Sequence, residues 1–322
     1  MKILITGSGG FIGFNLAKKL CDLNFNVIGV DNLNNYYDVN IKKNRIKLLK
    51  KYKNFQFKKI NLTNKNSLEK IFKKKIDIVF NLAAQAGVRY SINNPRNYFE
   101  SNLLGFFNVL DISRKNKIKY FFYASTSSVY GNSKHKKLSE NHSVEKPIQF
   151  YAATKKSNEL MAHAYSKIYG LNTIGLRFFT VYGPWGRPDM ALFKFTKSIL
   201  QNKKIEIFNY GNHMRDFTYI DDAVDILVNI FKYLLSKKNR GFYEIYNVGT
   251  NQPIQLTRFI KIIENKLQLI SKKKFLKLQQ GDVKETTCDT KKIKKFLPKK
   301  LTSVDVGIDK FITWYKSYYK TK

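Results

Sequence analysis

Short apolar runs alternate with longer stretches of helical spacing through the first half of the chain, the pattern of parallel strands joined by crossover helices. Lys2–Thr6 predicts a first strand, 11–23 the helix after it and 26–30 a second strand. The runs 55–60, 76–80 and 120–124 continue the series, and Thr173–Phe178 is a late strand. Residues 98–116 and 151–169 carry apolar positions at helical spacing. The predicted fold class is α/β, a doubly wound parallel sheet. After Tyr182 the alternation loosens, and Gly183-Pro184-Trp185-Gly186-Arg187-Pro188 is rich in turn formers. The expected division is a sheet domain over 1–180, which also receives 216–250, and a smaller C-terminal α/β lobe made mainly of 181–322.

Gly7-Ser8-Gly9-Gly10-Phe11-Ile12-Gly13 lies between the first strand and its helix. A glycine cluster alone says little; between a strand and an amphipathic helix it marks a Rossmann dinucleotide site. Gly7 allows a tight turn, Gly10 lets the backbone approach a pyrophosphate, and Gly13 lets helix and strand pack closely. The helix start presents free N–H groups and a partial positive charge to the phosphates. Asp31, at the end of the second strand, can accept bonds from both ribose hydroxyls and would repel a 2′-phosphate, which selects NAD over NADP.

Tyr151-Ala-Ala-Thr-Lys155 puts a tyrosine and a lysine one helical turn apart on one face. A free tyrosine, with a pKa of about 10, is too weak a base at neutral pH. A nearby ammonium favours the phenolate, so Tyr151 could take a proton from a substrate hydroxyl while hydride leaves. Strand 120–124 runs into Ser125-Thr126-Ser127-Ser128, where Thr126 is the candidate third member. By itself that run is equally a turn bonding its own backbone.

The glycine spacing, the tyrosine–lysine helix and the stretch from Asn81 to Tyr90 together resemble the extended short-chain dehydrogenase family of nucleotide-sugar epimerases and dehydratases, over nearly the whole chain. Within it, Asn81–Tyr90, Tyr151–Tyr165, Thr180–Met190 and Met214–Asp222 look like the UDP-glucuronate 4-epimerase group. The resemblance implies cofactor contacts from Phe11, Ile12, Asn32, Asn61, Leu62, Ala83, Ala84, Gln85, Asn102, Ser125 and Phe178, besides the glycines, Asp31, Tyr151 and Lys155. The family usually has Asp where Asn61 stands; Asn keeps an acceptor but no charge. The resemblance also implies a homodimer built on helices 98–116 and 151–169, and a role in polysaccharide synthesis.

Which reaction follows oxidation at sugar C4 turns on the residues after Thr126. The dehydratases of this family carry Asp-Glu there, and the UDP-glucuronate decarboxylases usually carry Glu at the place of Ser128. Ser127-Ser128 supplies neither acid, which favours simple epimerisation. A 4-keto glucuronate is a β-keto acid and loses CO₂ readily when the breaking bond stands perpendicular to the ketone plane. An epimerase must therefore hold the carboxylate. Arg187 can do so with a bidentate fork, helped by Thr180, Thr126, Ser127 and Ser128; the alternative is a loop arginine paired with Asp189. Arg215 resembles the family's diphosphate-binding arginine, supported by Arg89, with Gln279 and Asp282 near the UDP ribose and Phe208 against uracil. Arg215 and Asp216 could instead be a surface salt pair, and Phe208 a core residue.

Composition changes this picture little. The 59 Lys+Arg against 23 Asp+Glu give a formal +36, which taken alone suggests a polyanion partner. The lysines are spread along the chain, and Lys, Asn, Ile, Phe and Tyr all have A/T-rich codons, so genome composition is a sufficient cause. No nucleic-acid or membrane partner is expected. Two distant cysteines, Cys21 and Cys288, fit a reduced cytoplasmic compartment without disulfides or a metal site. The expectation is an NAD-dependent C4 epimerase of a UDP-uronic acid. The alternatives are a 4-epimerase of another UDP-hexose, a UDP-glucuronate decarboxylase, or a dinucleotide-sensing regulatory module.

Overall fold

The computed structural model describes residues 1–237, 240–279 and 281–321. Its strands are β1 (Lys2–Thr6), β2 (Asn26–Asp31), β3 (Phe55–Lys59), β4 (Ile78–Asn81), β5 (Tyr120–Thr126), β6 (Thr173–Phe178), β7 (Thr180–Tyr182), β8 (Lys204–Ile207), β9 (Met214–Tyr219), β10 (Tyr243–Val248), β11 (Pro253–Gln255), β12 (Lys272–Phe275) and β13 (Glu285–Thr286). Seven of them form one sheet in the order β10-β6-β5-β4-β1-β2-β3, with every pairing parallel.

Neighbouring residues of one strand enter separate apolar clusters on the two faces. Ile3 and Ile5 of β1, Ile78 and Phe80 of β4, and Tyr120 and Phe122 of β5 join one cluster. Leu4, Val79, Phe121 and Tyr123 join the other. Helices cover both faces, which is why these strands read as continuous apolar runs rather than as alternation. The strand order reverses between β1 and β4, and the crevice at their carboxyl ends is where such sheets bind ligands.

The remaining strands build a smaller part. β9 lies between β11 and β13 and also pairs with β7, and β8 pairs with β12. Helices Ala191–Leu200, Leu256–Leu267 and Val304–Tyr319 pack with them. β10 returns to the large sheet beside β6, and helix Ile220–Leu235 packs on helix Phe11–Asp22, with Lys19 and Asp225 paired at 2.7 Å.

Three elements differ from the sequence expectation by two residues or more at an end. β4 starts at Ile78 rather than at 76, because the Asp77 carboxylate accepts the Lys2 N–H at 2.7 Å and ends the run. β5 continues to Thr126, since Ser125 and Thr126 find partners in Arg177 and Phe178 of β6. The helix expected over 98–116 begins earlier, at Pro95, and is interrupted by a π-helical turn over Phe99–Leu104 before Gly105–Lys115.

Candidate active site

A cleft of about 1110 Å³ opens at the carboxyl ends of β1, β2, β4 and β5 and runs beneath the smaller part. Gly7 (φ +75°) makes the turn after β1, and a Cβ there would meet the Ala83 backbone nitrogen at 2.8 Å. A Cβ on Gly13 would strike the Gly7 carbonyl oxygen. Helix Phe11–Asp22 has no side-chain cap, so its first N–H groups are left to a ligand. Gly10, Phe11, Ile12, Asn32, Asn61, Leu62, Ala83, Ala84, Gln85 and Phe178 all border the cleft. Asp31 accepts the Gly9 N–H at 3.0 Å and the Leu33 N–H at 2.7 Å; these fix its carboxylate at the mouth of the fold where a ribose would lie. The cradle of bare glycine backbone, helix start and fixed carboxylate fits a dinucleotide such as NAD.

Asn102 is the one expected cofactor residue that does not border the cleft. It sits in the π-helical turn, where an inserted residue turns the side chain inward. Its Oδ1 accepts the Gln85 N–H at 2.7 Å and its Nδ2 donates to the Gln85 carbonyl at 3.0 Å and to Thr154 at 3.1 Å. Asn102 thus supports the loop after β4 from behind and ties it to the tyrosine–lysine helix, Phe150–Tyr169.

Thr126, Tyr151 and Lys155 converge on the middle of the cleft. Lys155 is 3% exposed, and its Nζ donates to the Ala124 carbonyl at 2.9 Å. Burial pulls its pKa down to about 7. Burial pushes the Tyr151 phenol up, while the Arg187 charge and a hydrogen bond with Thr126 pull it back. Burial wins, so the phenol stands above its usual range, and the cation that offsets part of this is Arg187 rather than the expected Lys155. Thr126 Oγ1 also accepts the Ser128 N–H and donates to Ser128 Oγ, both at 3.2 Å. The Ser/Thr run is a turn bonding its own backbone and a wall of the site at once. Ser125 borders the cleft, but its hydroxyl donates to Glu159 at 2.7 Å. Glu159 in turn pairs with Arg177 in the buried interior at 2.8 Å.

Ser127, Ser128, Thr180 and Arg187 line the cleft beyond Tyr151. Arg187 is paired with Asp189, Nε to Oδ1 at 3.0 Å and Nη2 to Oδ2 at 2.5 Å. Arg187 is thus a loop arginine paired with Asp189, and it also borders the cleft. At the outer end, Arg89 bonds Asp282 at 3.0 Å and lies 4.8 Å over the Phe208 ring. Phe208 is therefore a cleft wall rather than a core residue. Arg215 does not pair with Asp216. It donates to the carbonyls of Met214 (3.0 Å), Lys284 (2.9 Å) and Val283, while buried Asp216 accepts the Asn251 and Cys288 N–H groups at 2.8 and 3.0 Å. Gln279 also borders this end, its Oε1 buried without a partner.

Several residues at the site carry no signal in the sequence. Tyr36 donates to Asp189 at 3.0 Å. Arg45 is fully buried and donates to the carbonyls of Gly9 (2.8 Å) and Gly186 (3.2 Å), tying the glycine loop to the Arg187 loop. His213 is 5% exposed on the cleft wall, with Nε2 unpartnered. None of the three falls within a motif, and only the folded chain brings each to its place.

The family model described as NAD dependent epimerase/dehydratase matches residues 3–249. The protein CapI of Staphylococcus aureus is 49% identical, over 99% of this chain and 100% of its own length. A probable UDP-glucuronate 4-epimerase of Rhizobium meliloti is 38% identical, over 99% of this chain and 98% of its own. The crystal structure of UDP-glucuronic acid 4-epimerase from Bacillus cereus, in complex with UDP-glucuronic acid and NAD, superposes with a TM-score of 0.92 at 33% identity, covering 99% of this chain and 100% of that one.

Proposed function

We infer the activity from one premise: the chain belongs to the NAD dependent epimerase/dehydratase family. It is an isomerase that uses NAD to epimerise a UDP-uronic acid at C4, interconverting UDP-glucuronate and UDP-galacturonate. The observation that carries this reading is the wall around Tyr151: hydroxyls at Thr126, Ser127, Ser128 and Thr180 and the Arg187 fork, with no carboxylate at 127 or 128.

The residues divide the chemistry as follows. Bound NAD supplies a reversible hydride acceptor. Tyr151 takes the proton from the C4 hydroxyl, and Thr126 shares a hydrogen bond with it. Lys155, one helical turn from Tyr151, favours the phenolate in its protonated form. Gly7, Gly10, Gly13 and Asp31 hold the dinucleotide. Arg187 and the hydroxyls hold the uronate carboxylate while the 4-keto sugar presents its other face; proton and hydride then return. Arg89, Arg215, Gln279, Asp282 and Phe208 hold the UDP. Lys194, Lys197, Lys204 and Lys274 border the same cleft, and their charge favours an anionic substrate. The lobes divide as 1–180 with 216–250, and the rest of 181–322.

The enzyme works as a homodimer in the cytoplasm. Supporting the dimer, Phe99 (55%), Leu104 (41%) and Phe107 (43%) of one helix and Leu160 (58%) and Ile168 (72%) of the other leave apolar side chains in water, more than scattered single exposures. Among the described residues no helix is long and apolar enough to cross a membrane.

Purified protein incubated with UDP-glucuronate, without added NAD, tests the whole reading by separation of the sugar nucleotides. UDP-galacturonate is the expected product. A UDP-pentose as sole product makes the protein a decarboxylase, and no turnover even with NAD supplied makes it a sensor.

A further inference from the structure

Asp189 takes only one edge of the Arg187 guanidinium, the side formed by Nε and Nη2. A guanidinium offers donors on two edges. The remaining donors of the guanidinium are not taken by Asp189, and Arg187 borders the cleft that holds Tyr151. Asp189 is itself fixed: the Tyr36 hydroxyl donates to its Oδ2 at 3.0 Å. Tyr36 belongs to the segment after β2, packs against Tyr90 at 4.8 Å, and borders the cleft beside Asn34. The arginine also sits in a stiff frame. Pro184 and Pro188 bracket its loop. Arg45 holds the Gly186 carbonyl, and the Trp185 indole packs on Phe14, Trp314 and Tyr318.

We propose that Asp189, held by Tyr36, is the positioning residue that sets the plane of the Arg187 fork, and so decides whether the 4-keto uronate keeps its carboxylate. This rests on the function proposed above. A carboxylate bound end-on to a fixed guanidinium shares its plane. The C5–C6 bond of the keto sugar is then held away from the perpendicular. If the fork can swing, the ring can pucker so that C5–C6 turns axial, perpendicular to the ketone plane, and that bond can break. CO₂ leaves, the electron pair passes into the C4 carbonyl as an enolate, and C5 takes a proton from water. The hydride taken from C4 returns to it, leaving a UDP-pentose. No outside oxidant or reductant enters this balance. Asp189 also offsets the Arg187 charge, and the Tyr36 hydrogen bond weakens its repulsion of a second carboxylate.

The test compares Asp189→Asn and Tyr36→Phe with the unaltered enzyme and with Arg187→Ala. UDP-glucuronate is the substrate; uronate and pentose products are separated, and UDP binding and retained NAD are measured. Both positioning variants should raise the KM for UDP-glucuronate, Asp189→Asn by about tenfold, the scale of one charge-assisted hydrogen bond. They should release UDP-pentose while UDP binding and NAD content stay unchanged. Tyr36→Phe, the milder change, keeps the test open if Asp189→Asn folds poorly. Unchanged KM and no pentose in either variant overturn the proposal, as does a KM rise that comes only with loss of NAD. If the unaltered enzyme does not convert UDP-glucuronate at all, the proposed function fails first, and this inference with it.

Discussion

Tyr151 and Lys155 show how much a single residue's chemistry depends on its surroundings. Replacing Tyr151 with Phe removes the proton acceptor and should lower turnover by about 10²- to 10⁴-fold, with UDP-glucuronate still bound in calorimetry. Lys155 raises the opposite issue, because its burial costs stability. Its folded pKa is about 7 against 10.5 for the free group, so the unfolded chain binds more protons between those values. Stability of the NAD-free protein should therefore rise with pH across that window through this group. Lys155→Met should raise the melting temperature at pH 7 and abolish turnover, and its advantage over the unaltered chain should shrink as pH approaches 10.5. Equal melting temperatures at pH 7 would show that burial of the ammonium carries no such penalty.

At the scale of elements, the π-helical turn over Phe99–Leu104 is the feature that sequence periodicity could not reveal. One inserted residue shifts the apolar spacing too little to be read over so short a stretch, and the turn is held by Asn102 reaching Gln85 and Thr154 and by Asn158 donating to the Asn102 carbonyl at 2.7 Å. Asn102→Ala would leave the Gln85 backbone groups buried without partners, at about 1–3 kcal/mol for each group. It should lower the melting temperature by several degrees and loosen NAD, read as the fraction of protein purified with cofactor. The strands were far easier to read. β6 appears over the expected residues because Ile174, Leu176 and Phe178 enter one apolar cluster while Thr173, Gly175 and Arg177 are buried on the other face, whereas β4 and β5 moved at their ends, where single side chains such as Asp77 and Thr126 decide.

At the scale of the molecule, the exposed apolar residues on helices Gly105–Lys115 and Phe150–Tyr169 predict that Leu160→Glu converts a dimer to a monomer in size-exclusion with mass detection. A monomer in the unaltered protein would remove the dimer from the proposal. The sequence by itself determined the architecture and the placing of Tyr151 beside Lys155. A parallel sheet buried on both faces leaves continuous apolar runs, a glycine loop has little other use between strand and helix, and one helical turn fixes Tyr151 beside Lys155. The outer end of the cleft was legible only in outline: Arg215 borders it, but its partners are the carbonyls of Met214, Val283 and Lys284 rather than the Asp216 carboxylate. Tyr36, Arg45 and His213 were decided by tertiary structure alone. Arg187 lies between these cases, for the sequence supplied both the fork and its neighbour Asp189. Only the fold brings Tyr36 across 153 residues to that pair, because no local spacing links the segment after β2 to the Arg187 loop.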